Sequence, residues 1–171
     1  MNDNCNKSNI AVLLIDMQKK FLKDISPKNL DIQIMEQKRV LKYCSEKNVP
    51  VIVVEYSGHG QTTKLLDLNN LLGKYKPLIK NFDDAFEIAE LSERLDNFGV
   101  KELGLMGVNR GVCVLDTARS AIELGYKIHT AKTLIEDSNI LSTKRDYEWY
   151  EKNGKLYSNA IDFLQNIKKM K

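Results

Sequence analysis

Histidine is scarce in this chain, with two in 171 residues. His59 follows an expected strand, and Glu55 is the acid that accompanies it. One acid and one histidine are too few for a first-row metal site, so we expect neither a metal nor a cofactor. Cysteine is scarce too. Cys5, Cys44 and Cys113 show no paired spacing, which points to a reducing cytoplasm and away from a disulfide framework. No apolar run approaches the length of a membrane span, and residues 1–8 are too polar for a signal peptide. Neither sign of charge dominates: 26 Lys and Arg against 23 Asp and Glu leave a net charge of +3. That excess is too slight to indicate nucleic-acid or membrane binding. The basic residues are dispersed except at Lys168, Lys169 and Lys171, a tail expected to fray in solvent. Repeats, low-complexity tracts and Gly/Ser linkers are all missing. Residues 1–171 therefore read as one domain with room for a full core, residues 1–8 forming a flexible arm.

Strand and helix patterns alternate along the chain. Apolar runs predict strands at Ile10–Ile15, Val51–Tyr56, Val100–Val108 and Lys127–Ala131, with very short ones at Pro77–Ile79 and Lys155–Tyr157. Helical spacing of apolar residues predicts helices over Leu30–Lys47, Ala85–Asn97, Cys113–Leu124 and Thr143–Lys152. A short one is expected near Lys64–Leu72, and a last one runs to about Lys168. Such alternation implies parallel strands joined by crossover helices. The expected fold is α/β, a doubly wound three-layer α/β/α arrangement around a mostly parallel central sheet of about six strands.

Cys113 sits where the strand ending at Val108 becomes a helix, across the tight turn Asn109-Arg110-Gly111-Val112. A thiol in the first helical turn lies near unpaired N–H groups and the positive end of the helix dipole, which favour the nucleophilic thiolate. The same N–H groups could hold an oxyanion. A buried cysteine acting as a small hydrophobe is the plainer alternative. Ligand sites in open α/β sheets gather at the C-terminal ends of strands, so Asp16, directly after the first strand, should share an edge with Cys113. Lys80 closes the set at the end of another short strand. Singly, Asp16 reads as a turn or helix-cap residue and Lys80 as a surface charge. Together the carboxylate can take the thiol proton while the ammonium orients it.

Three blocks carry a family resemblance: Ala11-Val-Leu-Leu-Ile-Asp-Met-Gln18, Lys80-Asn-Phe-Asp-Asp-Ala-Phe86 and Gly107-Val-Asn-Arg-Gly-Val-Cys-Val114, followed by Thr117-Ala118 and Gly125-Tyr126. Over roughly residues 10–138 the chain resembles the isochorismatase-like cysteine hydrolases, which include nicotinamidases, other small amidases and carbamoyl hydrolases. The resemblance implies an Asp–Lys–Cys triad of Asp16, Lys80 and Cys113. It also implies a cis peptide between Val108 and Asn109, turning the Asn109 N–H toward that of Cys113 to form an oxyanion hole. Such a bond costs about 3–4 kcal/mol.

The chain also departs from the family. Nicotinamidases bind a metal through Asp-x-His and a later His, whereas Glu55 and Ser57 occupy the first two positions here. Nicotinamidase activity is therefore not expected. True isochorismatases lack the cysteine, so Cys113 argues against vinyl-ether hydrolysis. Arg110 replaces the usual Thr and Asp84 the usual Ser. Arg110 could pair with an anionic substrate group, pair with Asp84, or face solvent as a turn residue.

The implied activity is hydrolysis of a small amide, ureide or carbamoyl-type C–N bond through a thioester. The alternative is a binding or scaffolding member of the same fold. Phe21, Tyr56, His59 and Phe82 are expected to line the pocket with Arg110, which would favour an anionic or polar substrate. Members of the family commonly form homo-oligomers. Tyr147, Trp149 and Tyr150 could serve an interface or cover the protein's own core.

Overall fold

The computed structural model describes residues 8–69, 71, 76–137 and 144–168. Cys5, the N-terminal arm through residue 7, and Lys169 and Lys171 lie outside the described residues, as do Asn70 and Leu72; of the short helix expected near Lys64–Leu72, a single 3-10 turn forms over Lys64–Leu66.

Seven strands form one sheet: β1 (Ile10–Ile15), β2 (Val51–Tyr56), β3 (Leu78–Lys80), β4 (Glu102–Val108), β5 (Lys127–Ala131), β6 (Ile135–Glu136) and β7 (Lys155–Tyr157). Their order is β3-β2-β1-β4-β5-β7, with β6 paired to the end of β4, and every ladder is parallel. β1 and β4 are buried along their whole length, as expected of central strands covered on both faces.

Among the described residues six α-helices cover the two faces: α1 (Lys19–Leu22), α2 (Pro27–Lys47), α3 (Ala89–Phe98), α4 (Cys113–Glu123), α5 (Lys144–Asn153) and α6 (Ala160–Ile167). Strand alternation divides the core in two. Val12, Leu14, Val53, Met106 and Val108 pack with residues of α2 and α6, including Val40, Leu41, Phe163 and Ile167. On the other face Ala11, Leu13, Ile15, Leu103 and Leu105 pack with Leu91 and Leu95 of α3, Val114 and Ala118 of α4, and Tyr150 of α5. The fold is thus the three-layer α/β/α arrangement. Tyr147 and Trp149 pack against the second core and Tyr150 is fully buried within it, so this aromatic cluster covers the protein's own interior.

Local chemistry sets the element ends. Pro27 opens α2, the Ser26 hydroxyl accepts the Asn29 N–H, and Asn48 closes the helix in a left-handed conformation. Three polar residues of α2 are nevertheless buried. Gln33 donates to the carbonyls of Gly107 and Leu134, Gln37 donates to Leu134, and Glu36 accepts the Ala160 N–H. The first two thereby brace the end of β4. At that end Gly107 adopts φ 155°, and a Cβ there would collide with the Ile15 carbonyl. A side chain at 107 would separate β1 from β4 at the level of Asp16.

Two small elements were not legible in the pattern. α1 is a single turn, and β6 has two residues with nothing to show alternation. No helix among the described residues is long and apolar enough to cross a membrane.

Candidate active site

Asp16, Lys80 and Cys113 converge at the C-terminal edge of the sheet. β1 ends at Ile15, and Asp16 turns in a left-handed conformation (φ 56°) while its N–H stays bonded to Val54 O at 2.9 Å. Lys80 ends β3, whose neighbour is β2. At about 4.8 Å per strand spacing, β3 lies about 10 Å from β1, a gap that a long side chain can span. The Lys80 Nζ comes 2.9 Å from Asp16 Oδ2, and both side chains are fully buried. Its position is fixed by donation to the carbonyls of Phe82 at 3.1 Å and Asp83 at 3.0 Å, and by the Tyr56 ring 4.6 Å away. The contact with Asp16 has the distance of an ion pair but not the alignment of a directed hydrogen bond.

Cys113 is buried at the first position of α4, close enough to Asp16 for the two side chains to interact electrostatically. Its sulfur lies 3.5 Å from Asp83 Oδ1 and 3.7 Å from Asn109 Nδ2. Burial pushes the thiol well above its ordinary value, with the Asp16 charge adding to the effect and Lys80 opposing it. The expected thiolate at the helix terminus is therefore not the resting state, because desolvation and neighbouring carboxylates outweigh the helix dipole. Burial likewise raises Asp16, with Lys80 opposing. A neutral thiol beside a carboxylate of raised basicity is suited to general-base activation.

The turn before Cys113 differs from what the resemblance implies. The described residues contain no cis peptide, so the Val108–Asn109 bond is trans. The chain reverses through Asn109 at φ 61°, a left-handed conformation that asparagine tolerates well. The Asn109 carbonyl accepts the N–H groups of Val112 and Val114, and α4 has no side-chain cap. Among the described residues, the N–H groups of Asn109 and Cys113 have no backbone partner outside the helix and sheet ladders. Both remain candidates for an oxyanion.

Arg110 does not face a pocket. It is 1% exposed and lies within 3.6–3.8 Å of Glu136, Asp137 and Asp146. Its Nη1 donates to the Tyr147 hydroxyl at 2.8 Å, above whose ring the guanidinium packs. A turn arginine is drawn inward because three carboxylates, Glu136 of β6, Asp137 just after it and Asp146 of α5, await it, and these come together only in the folded chain. Nor does it pair with Asp84, which accepts the Phe86 N–H and the Ser120 hydroxyl instead.

Phe82 is also displaced from the expected lining. The residue is 61% exposed, and its carbonyl reaches the site through Lys80. Phe21, Tyr56 and His59 do cluster: Phe21 and His59 stack at 4.6 Å, with Tyr56 edge-on to His59 at 5.0 Å. Glu55 accepts the N–H and hydroxyl of Thr62, and His59 Nδ1 lies 2.8 Å from the Ser57 carbonyl. Among the described residues no group of three or more His, Cys, Asp or Glu is placed to hold a metal ion.

Gln18 and Asp83 received no role from the pattern. The buried Gln18 amide donates to the carbonyls of Tyr56 and Gly60 and accepts the Tyr56 N–H, anchoring the aromatic loop to the turn after Asp16. Its presence in the first motif block was the available signal. Asp83 likewise lies in the second motif block, but its position beside the sulfur depends on how the Lys80 loop folds back.

The isochorismatase domain model matches residues 10–149. The chain belongs to the isochorismatase-like hydrolase family. This family member is 25% identical over 147 residues to isochorismatase family protein 2A of Dictyostelium discoideum, covering 81% of this chain and 70% of that one. Streptothricin hydrolase of Streptomyces noursei is 45% identical over 49 residues, 29% of this chain and 18% of that enzyme. Among solved structures, the Escherichia coli YcaC protein, described as an octameric hydrolase of unknown specificity, is similar with a TM-score of 0.77. The identity is 19%, and the match covers 94% of this chain and 82% of that one.

Proposed function

We propose that this hydrolase-family chain cleaves a small amide, ureide or carbamoyl-type C–N bond with Cys113 as nucleophile. The observation that carries the reading is the buried Asp16–Lys80 pair, 2.9 Å apart, within reach of the Cys113 thiol. Asp16 removes the thiol proton as the sulfur bonds to the carbonyl carbon and the C=O electron pair moves onto oxygen. The N–H groups of Asn109 and Cys113 receive that oxyanion. When the C–N bond breaks, the leaving nitrogen takes the proton from Asp16. Water then attacks the thioester, Asp16 accepts a water proton, and the C–S bond breaks as the proton returns to sulfur. Lys80 acts throughout as a positioning residue that keeps Asp16 oriented and ionised.

Streptothricin hydrolase, by its name a hydrolytic enzyme, supports such an activity over the short segment it shares. A cytoplasmic setting fits Cys44 and Cys113, two buried cysteines that form no disulfide. A homo-oligomer is part of the reading because similarly folded YcaC is octameric.

The test is a panel of simple amides, carbamoyl compounds and ureides assayed for ammonia or amine release. Acid quenching during turnover, followed by peptide mass analysis, should reveal an acyl group on Cys113. Turnover with no acyl-Cys113 under any quench time rules out the thioester route. The raised thiol favours one competing reading, a binding member without useful turnover. That reading expects saturable binding of one of these compounds with no product from any.

A further inference from the structure

The charge beside the nucleophile points to a class of substrate. Four ionisable groups bear on it. Asp16 and Lys80 form a 2.9 Å pair and offset one another. Arg110, the cation expected at the mouth, is instead committed to Glu136, Asp137 and Asp146. Asp83 is left, with Oδ1 3.5 Å from the Cys113 sulfur. The residue is exposed, and among the described residues no lysine or arginine pairs with it.

A carbonyl carbon poised for attack sits about 3–3.5 Å from the sulfur. A group within hydrogen-bond distance of Asp83 can then stand as near as one or two bonds from that carbon. A carboxylate at this range repels an anion and attracts a cationic N–H donor. Asp83 also accepts the thiol's hydrogen bond in the structure. A substrate ammonium would replace the thiol as its donor and leave the S–H free to give its proton to Asp16.

Resting on the hydrolase reading above, we propose that the substrate carries a cationic nitrogen group next to the scissile carbonyl, and that Asp83 is the residue selecting it. Glycinamide and propionamide form the matched probe pair, with malonamate as the anionic member. At pH 7 the glycinamide amine, with an ordinary α-amino value of about 7.7–8.0, is mostly protonated. The wild-type protein should favour glycinamide over propionamide at least about tenfold in kcat/KM and disfavour malonamate further. Asp83→Asn should bring the glycinamide-to-propionamide ratio near unity, chiefly through a higher KM for glycinamide. Equal proportional losses for both substrates would instead mark Asp83 as a base or a structural residue, and overturn the inference.

Binding gives a readout independent of turnover. Cys113→Ala should bind glycinamide more tightly than propionamide by calorimetry, and the Cys113→Ala/Asp83→Asn double variant should lose that difference. If the binding preference is present without turnover of any probe, the hydrolase reading fails while the charge selection stands. A preference for malonamate, or no charge preference in either readout, overturns the selection itself.

Discussion

Two buried cations stand near Cys113, and their surroundings differ in a way that separates the proposed chemistry from scaffolding. Lys80 meets one carboxylate, Asp16, at 2.9 Å, and its remaining contacts are backbone carbonyls and a ring. Arg110 is spread over three carboxylates at 3.6–3.8 Å and a tyrosine hydroxyl at 2.8 Å. A compact ammonium polarises one acid and leaves that acid able to exchange a proton. A planar guanidinium with five donors ties separate elements together. The Arg110 region secures the turn from the other side as well: Gly111 N–H donates to Asp137 Oδ2 at 3.0 Å, and the buried Tyr150 hydroxyl donates to the Arg110 carbonyl at 2.9 Å. In the proposed reaction one region works on the proton, and the other holds the backbone that presents the sulfur.

The comparison breaks most completely at the atom both regions serve. Cys113→Ala should lower kcat at least about 1000-fold, as loss of a nucleophile does, while changing stability by no more than about 1–2 kcal/mol. Steady-state kinetics together with urea unfolding check both halves. Lys80→Met strips Asp16 of its counter-charge, and at neutral pH should cost about 3–5 kcal/mol of stability along with most of the activity. Its stability deficit should shrink on acidification, because a protonated Asp16 needs no cation. A deficit independent of pH would show that Lys80 acts through packing.

Arg110→Lys keeps the charge but cannot serve three acids and a hydroxyl at once. A loss of about 1–3 kcal/mol is expected, with kcat lowered more than KM is raised, because the nucleophile turn loosens while the binding surface stays. A change in substrate charge preference in this variant would return Arg110 to the pocket.

Asp16 makes activity and stability run in opposite directions with pH. Its folded-state value lies above the ordinary 3.8, chiefly through burial. The folded chain therefore holds this proton more tightly than the unfolded chain, and the group's contribution to stability declines as pH rises from 3.8 through the folded value. General-base activity rises over the same window. Asp16→Asn should remove both dependences, seen by subtracting its stability and kcat/KM profiles from those of the wild type. The smallest effect belongs to a control: Lys42 and Glu46 form an exposed pair at 3.9 Å on α2, and Lys42→Ala should change stability by less than about 0.5 kcal/mol.

The fold was legible wherever a side chain reports its own burial. β1, β2, β5 and β7 occupy the spans their apolar runs predict, and α4 begins at Cys113, where the turn ends. Elements too short to show a period, α1 and β6, were not. The proposed trio was readable because Asp16 directly follows a strand, Lys80 ends one and Cys113 opens a helix, and parallel topology brings those ends to one edge.

Sequence alone therefore determined the layered sheet and the residues delivered to its C-terminal edge, since hydrophobic period and chain order are local properties. Tertiary structure decided the charge that the site presents. Arg110 turns inward because Glu136, Asp137 and Asp146, 26 to 36 positions later in sequence, converge on it, and Asp83 reaches the sulfur because Lys80 draws the following carbonyls back onto its ammonium. Desolvation made the same kind of choice at Cys113, keeping a proton on a thiol whose position in the helix would otherwise favour losing it. Each outcome depends on distances between groups far apart in the chain, and Coulomb and solvation energies are set by those distances and by burial, not by sequence order.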